Sequence, residues 1–184
     1  LGLPDAGLVS YAEMLSRVAQ ICQGTSTPVI CDADTGFGGL LNVERTVRGY
    51  EAAGAAAIQI EDQVFPKRCG HTPGRRVVPA KDMVRKIEVA AASRASPDFL
   101  IVARTDARTQ HGLDEALRRG KAYAKAGADI LFIESPESEE EMARIGRHFD
   151  VPLLANMADG GRTPILSRER LQALGYRMAI FPAT

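Results

Sequence analysis

Short apolar runs alternate with amphipathic segments along the whole chain. The apolar runs are nearly continuous, which is typical of strands buried on both faces of a parallel sheet. Helical patterns separate these runs, so the sequence predicts repeated βαβ units. The predicted strands are residues 28–31, 55–60, 99–103, 130–133, 151–155 and 177–181.

The segments between the strands carry signals of helix starts. Ser10 with Glu13 has the spacing of a capping box, in which two side chains satisfy backbone N–H groups at the helix start. Ser138 with Glu141 repeats that spacing, and Asn42 is expected to cap another helix. The predicted helices cover residues 11–23, 42–53, 80–94, 113–125, 138–149 and a short segment after 167.

Two of the predicted βα units are built alike. Residues 53–61 (AGAAAIQIE) are similar to residues 126–134 (AGADILFIE). Each unit begins with a glycine suited to a helix C-terminus, continues as an apolar strand and ends in a glutamate, Glu61 or Glu134. We expect the two units to place these carboxylates at the same level of the sheet.

The alternation predicts an α/β fold, a (β/α)8 TIM-type barrel of which this chain holds about six of the eight strands. A closed barrel of this type typically has ~250 residues, whereas the chain has 184. Residues 1–184 are therefore expected to form a single catalytic barrel domain without its N- and C-terminal parts. The alternative is a complete six-stranded, doubly wound domain.

Polar side chains follow five consecutive predicted strands. In a parallel barrel these strand ends converge on one face, where the active sites of such barrels form. The pattern therefore predicts a site made of carboxylates, an arginine and an asparagine. The residues are Asp32 and Asp34, Glu61 and Asp62, Arg104 and Asp106, Glu134, and Asn156.

The segment Asp32-Ala-Asp34 is the candidate metal site. Alternate residues at the end of a strand can both point inward, and oxygen ligands suit Mg²⁺, which binds few carboxylates directly and keeps several waters. Glu61 and Glu134 follow other strands and favour the metal interpretation. The alternative is that the two aspartates only cap the glycine-rich turn that follows them.

The loop of residues 67–71 (KRCGH) contains the candidate catalytic thiol. A cysteine beside the cations Lys67 and Arg68, and near His71, is expected to have a lowered thiol pKa. Cys69 could then deliver or accept a proton. The alternative is an ordinary exposed loop cysteine, and the other two cysteines are expected to be buried and unreactive.

Arg104 is predicted to end a buried strand, where a guanidinium suits bidentate binding of a substrate carboxylate. The alternative is a structural ion pair with Glu134 or Asp106, and the two roles can coexist. His111 and His148 are expected to be ordinary surface residues.

Composition argues against several other classes of function. Apolar residues make up 45% of the chain, charged residues 25%, and the formal net charge is zero, whereas nucleic-acid-binding proteins usually have a basic excess. No apolar run approaches the ~20 residues that span a bilayer, and no segment resembles a secretion signal. The three cysteines are an odd number without metal-type spacing, which favours a reducing, cytoplasmic setting.

Taken together, these motifs resemble the isocitrate lyase/phosphoenolpyruvate mutase superfamily, and they cover nearly the whole chain in the family's order. The matching segments are 1–5 (LGLPD), 32–38 (DADTGFG), 60–63 (IEDQ), 67–71 (KRCGH), 103–106 (ARTD), and Asn156 with Thr163-Pro164. The cysteine loop looks like that of the superfamily's carbon–carbon lyases, and the chain looks closest to 2-methylisocitrate and 2,3-dimethylmalate lyases.

The resemblance implies a barrel that uses Mg²⁺, with Mn²⁺ as a substitute, and an oxyanionic enolate intermediate. It implies that Asp32 is the direct or nearest metal ligand, and that Asp5, Asp34 and Glu61 hold metal-bound waters. The catalytic residues it implies are Cys69, Lys67, Arg68 and His71. The substrate-binding residues it implies are Gly70, Arg104, Glu134, Asn156 and Thr163.

The activity that the resemblance implies is Mg²⁺-dependent cleavage of a 2-methylisocitrate- or 2-alkylmalate-type hydroxy acid to an α-keto acid, such as pyruvate, and a second carboxylic acid. It also implies a homo-oligomer, namely a tetramer. Asp159 stands where many relatives have Glu, and Gly160 where methylisocitrate lyases tend to have Phe, which favours alkylmalates. The alternatives are a phosphoenolpyruvate or carboxyphosphonoenolpyruvate phosphonomutase, an oxaloacetate decarboxylase or hydrolase, and a non-catalytic barrel fragment.

Overall fold

The computed structural model describes residues 2–70 and 72–182. Within these ranges the chain forms one six-stranded, fully parallel sheet whose strands follow each other in chain order. A doubly wound sheet instead has its first strand in the middle, so that alternative is wrong. Parallel strands in chain order are the arrangement of a (β/α) barrel, and the predicted fold class is confirmed.

Helices and strands alternate as the hydrophobic pattern predicts. The strands are β1 (Ile30–Asp32), β2 (Ala57–Glu61), β3 (Leu100–Thr105), β4 (Ile130–Ile133), β5 (Leu153–Asn156) and β6 (Met178–Ile180). The helices are α1 (Tyr11–Gln23), α2 (Leu40–Ala52), α3 (Ala80–Ser93), α4 (Ala107–His111), α5 (Leu113–Lys125), α6 (Glu139–His148) and α7 (Arg168–Ala173). The sequence does not predict α4, because five residues are too few to display a helical period.

Two helix starts differ from their predictions. Asn42 does not cap α2: the helix begins after Gly39, and the Asn42 side chain accepts a hydrogen bond from the Gly39 N–H at 3.1 Å. At α6, Ser138 accepts from the Glu141 N–H as expected, but the Glu141 carboxylate binds the Arg108 guanidinium. The same carboxylate accepts a hydrogen bond from the Glu137 N–H at 2.9 Å rather than from the Ser138 N–H, so this capping box is half formed.

The four inner strands, β2 to β5, are buried on both faces, as the continuous apolar pattern predicts, whereas the edge strands β1 and β6 are partly exposed. Outward-facing residues such as Ile58 and Ile101 pack beneath the helices in the main core. The residues between them face the inside of the barrel and form a smaller cluster, Ala57, Val102, Ile130, Phe132 and Leu154. This inner cluster supports the polar strand ends, since the guanidinium carbon of Arg104 lies 5.1 Å from the centre of the Phe132 ring.

The sheet curls so that its two edge strands face the same cleft. Ile30 of β1 and Ile180 of β6 both line this cleft, and they are 40% and 38% exposed. Closing a barrel of this type takes eight strands, so two further strands would be needed between β6 and β1. No helix in the described part of the chain is long and apolar enough to cross a membrane.

The two similar βα units share their helix ends and differ by two residues in register. Gly54 and Gly127 both have left-handed backbone angles, with φ of 95° and 110°, as expected after a helix. Glu61, however, is in register with a residue of β3 that pairs with Phe132, so Glu134 lies two residues further along its strand. The two carboxylates are therefore offset by two residues over two strands, the offset expected of residues at one height in a staggered barrel sheet.

The stagger between strands is that of a closed barrel. Asp32 is in register with Gln59, which comes two residues before Glu61. Phe132 pairs with Leu154, so Glu134 and Asn156, each two residues further on, are also in register. The register of the polar strand ends therefore shifts by two residues between β1 and β2 and by two more between β3 and β4, which is four residues from β1 to β5. A (β/α)8 barrel staggers by about eight residues over eight strands, so side chains at one height occupy different registers.

Helices α6 and α7 approach each other closely at Gly146, and this contact is open to test. A Cβ atom on Gly146 would lie 1.6 Å from the carbonyl oxygen of Leu174. Alanine favours helix over glycine by about 1 kcal/mol, yet we expect Gly146→Ala to lower the free energy of unfolding by about 1–3 kcal/mol, because the backbones must separate. Urea unfolding measures this difference.

The control for this prediction is Gly24→Ala at the end of α1. The nearest atoms to a Cβ there lie at 3.5 Å, an ordinary contact distance, and the glycine has a φ of −88°. This variant should unfold at nearly the wild-type urea concentration. A Gly146→Ala protein as stable as the Gly24→Ala protein would mean that α6 and α7 do not pack as described.

Candidate active site

One lysine bridges the acidic residues near the ends of β1 and β2. The Nζ atom of Lys67 lies 2.9 Å from Oδ1 of Asp34 and also contacts Oδ1 of Asp5. Burial lowers the pKa of the Lys67 ammonium, but the hydrogen bond to Asp5, the charge of Glu61 and the hydrogen bond to Asp34 together raise it above its ordinary value. Lys67 is thus a permanent cation among the candidate metal-binding carboxylates.

Asp32 and Asp34 have different roles in the turn after β1. Oδ1 of Asp32 accepts a hydrogen bond from the Asp34 N–H at 2.9 Å, which is the capping arrangement considered as an alternative. Asp34 is turned by its positive φ of 48° and binds Lys67. Asp32 is exposed and lines the cleft, so capping by one of its oxygens leaves the other accessible to a ligand.

Glu61 is buried with one oxygen unsatisfied. Its Oε2 lies 3.5 Å from Nε of Arg104, and its Oε1 has no hydrogen-bond partner among the described residues. Burial, opposed by Arg104 and reinforced by Asp106 and Asp32, raises the pKa of Glu61 to about 8. A buried carboxylate oxygen without a donor is unfavourable unless a cation or water lies beside it.

The carboxylates suit a metal ion that is held mainly through water. In the described ranges no three His, Cys, Asp or Glu side chains are grouped closely enough to ligate one ion. The exposed Asp32 and the unsatisfied oxygen of Glu61 nevertheless supply oxygen donors, and Mg²⁺ binds through few carboxylates while it retains waters. The residues present therefore fit a hydrated Mg²⁺, with Asp5 and Asp34 as further candidate partners for its waters.

Arg104 lies in the cleft at the end of β3 and is held by Asp106. Its Nε donates to Oδ2 of Asp106 at 2.9 Å and its Nη2 to Oδ1 at 3.0 Å, so the proposed ion pair is present. Burial lowers the pKa of Arg104, but the charges of Asp106 and Glu134 raise it well above its ordinary value. Arg104 is therefore a fixed cation, and its Nη1 has no hydrogen bond to the described residues.

Glu134 and Asn156 lie beside Arg104 at the ends of β4 and β5. Nδ2 of Asn156 is 3.4 Å from both carboxylate oxygens of Glu134, whereas the buried Oδ1 of Asn156 has no partner among the described residues. Ser135 donates a hydrogen bond to Glu134 at 3.2 Å. The unsatisfied amide oxygen can accept a hydrogen bond from a ligand hydroxyl in the cleft.

The loop that carries Cys69 folds against Arg104. A Cβ atom on Gly70 would lie 2.7 Å from Nη2 of Arg104 and 3.1 Å from Oε1 of Glu134, so the approach requires glycine. The Gln63 side chain holds the backbone of Arg68 through two hydrogen bonds of 2.9 and 3.1 Å. Cys69 is half-buried and lines the same cleft as Arg104.

The two cations beside Cys69 have other partners. Lys67 binds the acidic residues, and Nη1 of Arg68 donates to the carbonyl of Pro73 at 3.1 Å. His71 lies outside the described residues. Thr163 is half-buried in the loop after β5 and does not line the cleft, while His111 and His148 are exposed as expected.

The strand-end residues line one cleft of about 320 Å³. Its lining includes Asp5, Asp32, Gln59, Cys69, Gly70, Arg104 and Asn156. A larger cavity of about 450 Å³ lies beside β6 and α7. Its lining includes Leu171, Tyr176 and Met178 but none of the acidic residues at the strand ends. The chemistry is therefore concentrated in the smaller cleft.

Sequence reasoning missed several residues that shape this site. Gln59 could have been found, because it is the one polar residue inside an otherwise apolar strand. Gln63 and Arg75 show no such signal, since they act through contacts with distant loop residues. Arg75 is almost fully buried and pairs with Asp106.

Asp62 is a buried anchor on the outer side of the sheet. Its carboxylate accepts four hydrogen bonds, from Thr105 Oγ1 at 2.7 Å, the Asp106 N–H at 2.9 Å, Tyr123 OH at 2.7 Å and Arg119 Nη1 at 3.0 Å. These bonds connect β2 and β3 with α5. They fix the turn from which Asp106 reaches Arg104.

A pH-dependent test of this support uses Glu115, which binds Arg119. Hydrogen bonds from Arg118 and Arg119, opposed by slight burial, lower the pKa of Glu115 from 4.5 to about 2. A lowered folded-state pKa means that the stabilisation is present above pH 4.5 and is lost as the pH falls toward 2. We expect Glu115→Gln to be less stable than the wild type at pH 6, with a gap that closes on acidification.

Urea unfolding at pH 6, 4.5 and 3 measures that gap. Glu88→Gln on α3 is the matched control, because Glu88 is exposed and has no ion pair among the described residues. It removes one negative charge without breaking a contact and should leave stability nearly unchanged at pH 6. A Glu115→Gln gap of constant size from pH 6 to 3 would argue against this ion pair.

A parallel (β/α) barrel whose strand ends carry acids, an arginine and an asparagine around one cleft has the architecture of barrel enzymes with their site at the carboxyl face. Residues 1–183 match the family model described as phosphoenolpyruvate phosphomutase, and the chain belongs to that family. The predicted resemblance to the isocitrate lyase/phosphoenolpyruvate mutase superfamily is thereby confirmed.

Curated relatives are similar over nearly the whole chain. The chain is 58% identical over 182 residues to 2,3-dimethylmalate lyase of Eubacterium barkeri, covering 99% of this chain and 63% of that protein. It is 49% identical over 184 residues to 2-methylisocitrate lyase of Aeropyrum pernix, covering 100% of this chain and 59% of that protein. The chain thus spans only about three-fifths of the length of these relatives.

Solved structures agree with the fold. A crystal structure of 2,3-dimethylmalate lyase aligns with a TM-score of 0.95 at 39% identity, covering 98% of this chain and 62% of that chain. Oxaloacetate acetylhydrolase in complex with 3,3-difluorooxalacetate aligns at 0.94 and 35%, covering 98% and 63%. Phosphonopyruvate hydrolase in complex with oxalate and Mg²⁺ aligns at 0.82 and 33%, covering 98% and 62%.

Proposed function

We propose that the full protein carrying residues 1–184 is a Mg²⁺-dependent carbon–carbon lyase. Its substrate is a 2-alkylmalate- or 2-methylisocitrate-type hydroxy acid, and its products are an α-keto acid and a second carboxylic acid. The observation that carries the proposal is that Cys69, Arg104 and Asp32 line one cleft. The names of the two curated relatives, 2,3-dimethylmalate lyase and 2-methylisocitrate lyase, support the same class of substrate.

The reaction is a retro-aldol cleavage. A base takes the proton of the substrate hydroxyl, the bond to the neighbouring carbon breaks, and its electron pair moves to the carbon beside the second carboxylate. Cys69 then gives its proton to that carbon, and solvent returns a proton to the thiolate. A bound Mg²⁺, held through Asp32 with Asp5, Asp34 and Glu61, would supply Lewis-acid polarisation of the keto oxygen.

The cationic side chains bind and orient the substrate. Arg104 is held in one orientation by Asp106 and offers its Nη1 to a substrate carboxylate. The unsatisfied oxygen of Asn156 accepts from a substrate hydroxyl. Lys67 and Arg104 stabilise negative charge that develops during cleavage, which is worth more in a cleft that excludes water than in solution.

The proposal includes the wider setting of the enzyme. We propose Mn²⁺ as a substitute metal, a homotetramer as the assembly and the cytoplasm as the compartment. His71 and Thr163 remain candidate site residues on the strength of the motif that contains them. The Cys69 loop favours the lyase over the rivals, a phosphonomutase and an oxaloacetate decarboxylase or hydrolase, because it resembles the loop of the carbon–carbon lyases and those rivals generally lack it.

A substrate panel tests the proposed activity. The full protein is incubated with Mg²⁺ and 2-methylisocitrate, isocitrate or 2,3-dimethylmalate, and release of α-keto acid is followed with and without EDTA. With oxaloacetate, its disappearance is followed instead. We expect EDTA-sensitive release from one of the three hydroxy acids. Turnover of oxaloacetate alone, or of none of the four, would remove the lyase assignment and leave phosphoenolpyruvate chemistry or a non-catalytic barrel to be tested next.

Substitution of the thiol tests its role as proton donor. We expect Cys69→Ser to lower kcat by about 10²- to 10⁴-fold, the usual contribution of general acid–base catalysis. Cys22→Ser is the control, because Cys22 lies on α1 away from the cleft. Steady-state kinetics of both variants give the answer, and near-normal turnover by Cys69→Ser would exclude the thiol from the mechanism.

A further inference from the structure

Arg75 belongs to the loop that carries Cys69, yet its guanidinium reaches the residues after β3 and β4. Its Nη1 pairs with Oδ1 of Asp106, and its Nη2 donates to Thr109 Oγ1 at 2.8 Å and to Ser135 Oγ at 3.3 Å. The side chain is only 4% exposed. A buried guanidinium with three partners on two other elements holds the loop against the sheet.

Two of these partners each hold a candidate substrate-binding residue. Asp106 receives both hydrogen bonds from Arg104, and Ser135 donates to the carboxylate of Glu134. Ser135 has a φ of 59°, which non-glycine residues rarely adopt and which persists only where surrounding contacts maintain it. One guanidinium therefore sets the partners of both Arg104 and Glu134.

The other contacts of the Cys69 loop hold its base and the part of its tip before Cys69. The base of the loop is closed by the bridge between Gln63 and Val77 and by the hydrogen bond from Val64 N–H to the Arg76 carbonyl at 2.8 Å. Before Cys69, the tip of the loop (residues 65–75) is anchored by the Lys67 ammonium, which binds two aspartates, and by the Gln63 side chain, which binds the backbone of Arg68. Among residues 70 and 72–75, Arg75 is the side chain whose hydrogen bonds reach Asp106 and Ser135, the partners of Arg104 and Glu134.

We propose that Arg75 is a positioning residue that couples the placement of the Cys69 loop to the orientation of Arg104 and Glu134. The inference rests on the proposed function of that cleft. Without Arg75, Asp106 loses one of its two guanidinium partners and can shift together with Arg104. The loop tip loses a buried anchor at the same time, so the thiol and the carboxylate-binding arginine are displaced together.

The experiment compares Arg75→Met with Arg76→Met in the full protein. Methionine keeps an unbranched apolar stem and removes the charge, and Arg76 is the exposed neighbour in the same loop. The first readout is the dissociation constant of oxalate with Mg²⁺, by calorimetry. The second is the rate at which iodoacetamide alkylates Cys69, by peptide mass spectrometry, with Cys22 on α1 as the internal reference.

We expect Arg75→Met to weaken oxalate binding about tenfold, as for the loss of one charge-assisted contact. The same variant should alkylate several-fold faster at Cys69 with no change at Cys22. Arg76→Met should match the wild type in both readouts. Neither readout requires turnover, so failure of the lyase assay and failure of this inference are distinguishable.

Four outcomes would overturn the inference. Oxalate binding that weakens without faster alkylation of Cys69, or the reverse, would separate the two functions. Equal acceleration at Cys22 would show that Arg75 only stabilises the whole fold. Wild-type values in Arg75→Met for both readouts would exclude any role, and a wild-type protein that does not bind oxalate would contradict the site on which the coupling acts.

Arg75→Lys keeps the test decisive if the methionine variant does not fold. An ammonium retains the charge and can reach Asp106, but it lacks the planar fork that also binds Thr109 and Ser135. Both readouts should therefore shift in the same direction as in Arg75→Met, by smaller factors. Wild-type values for both in a folded Arg75→Lys protein would contradict the inference.

Discussion

The stagger of the six parallel strands is the constraint on which the rest of the molecule depends. Because neighbouring strands are parallel, their carboxyl ends meet on one side of the sheet. The register shifts by four residues in all between β1 and β5, so residues that are not paired across the strands reach the same height. The stagger brings Asp32, Arg104 and Asn156 to a single cleft and buries Glu61 beside Arg104. The inner apolar cluster packs beneath them.

Charge balance organises the residues that the stagger assembles. Lys67 neutralises part of the acidic cluster, and Asp106 receives two guanidinium groups, those of Arg104 and Arg75. Burial of these four charged groups is tolerated because each has a partner of opposite sign. The exceptions among the described residues are informative, since the buried oxygens without partners include one from Glu61 and one from Asn156, both at strand ends. A site that leaves acceptors unsatisfied in this way is suited to receive a cation and a hydroxylated acid.

Most of the fold could be predicted because its causes are local. Continuous apolar runs indicate the inner strands, which are buried on both faces. Ser10 and Glu13 form the complete capping box that their spacing predicts. The predicted strand-end residues could be named for the same reason, since a strand in a parallel sheet ends at the active face. Local patterns failed where the expected group has other partners, as at Glu141, whose carboxylate binds Arg108 and the Glu137 N–H instead of the Ser138 N–H.

By itself, the sequence determined the order of the strands and helices, the parallel barrel architecture and the polar residues that follow each strand, because hydrophobic period and chain connectivity are properties of neighbours along the chain. Only the tertiary structure decided that Glu134 is offset from Glu61 by two residues in register, that the Lys67 ammonium binds the acidic cluster, and that Arg75 joins the cysteine loop to Asp106. The physical reason is that register, burial and ion pairing depend on groups far apart in the chain, which meet only after the sheet has curled.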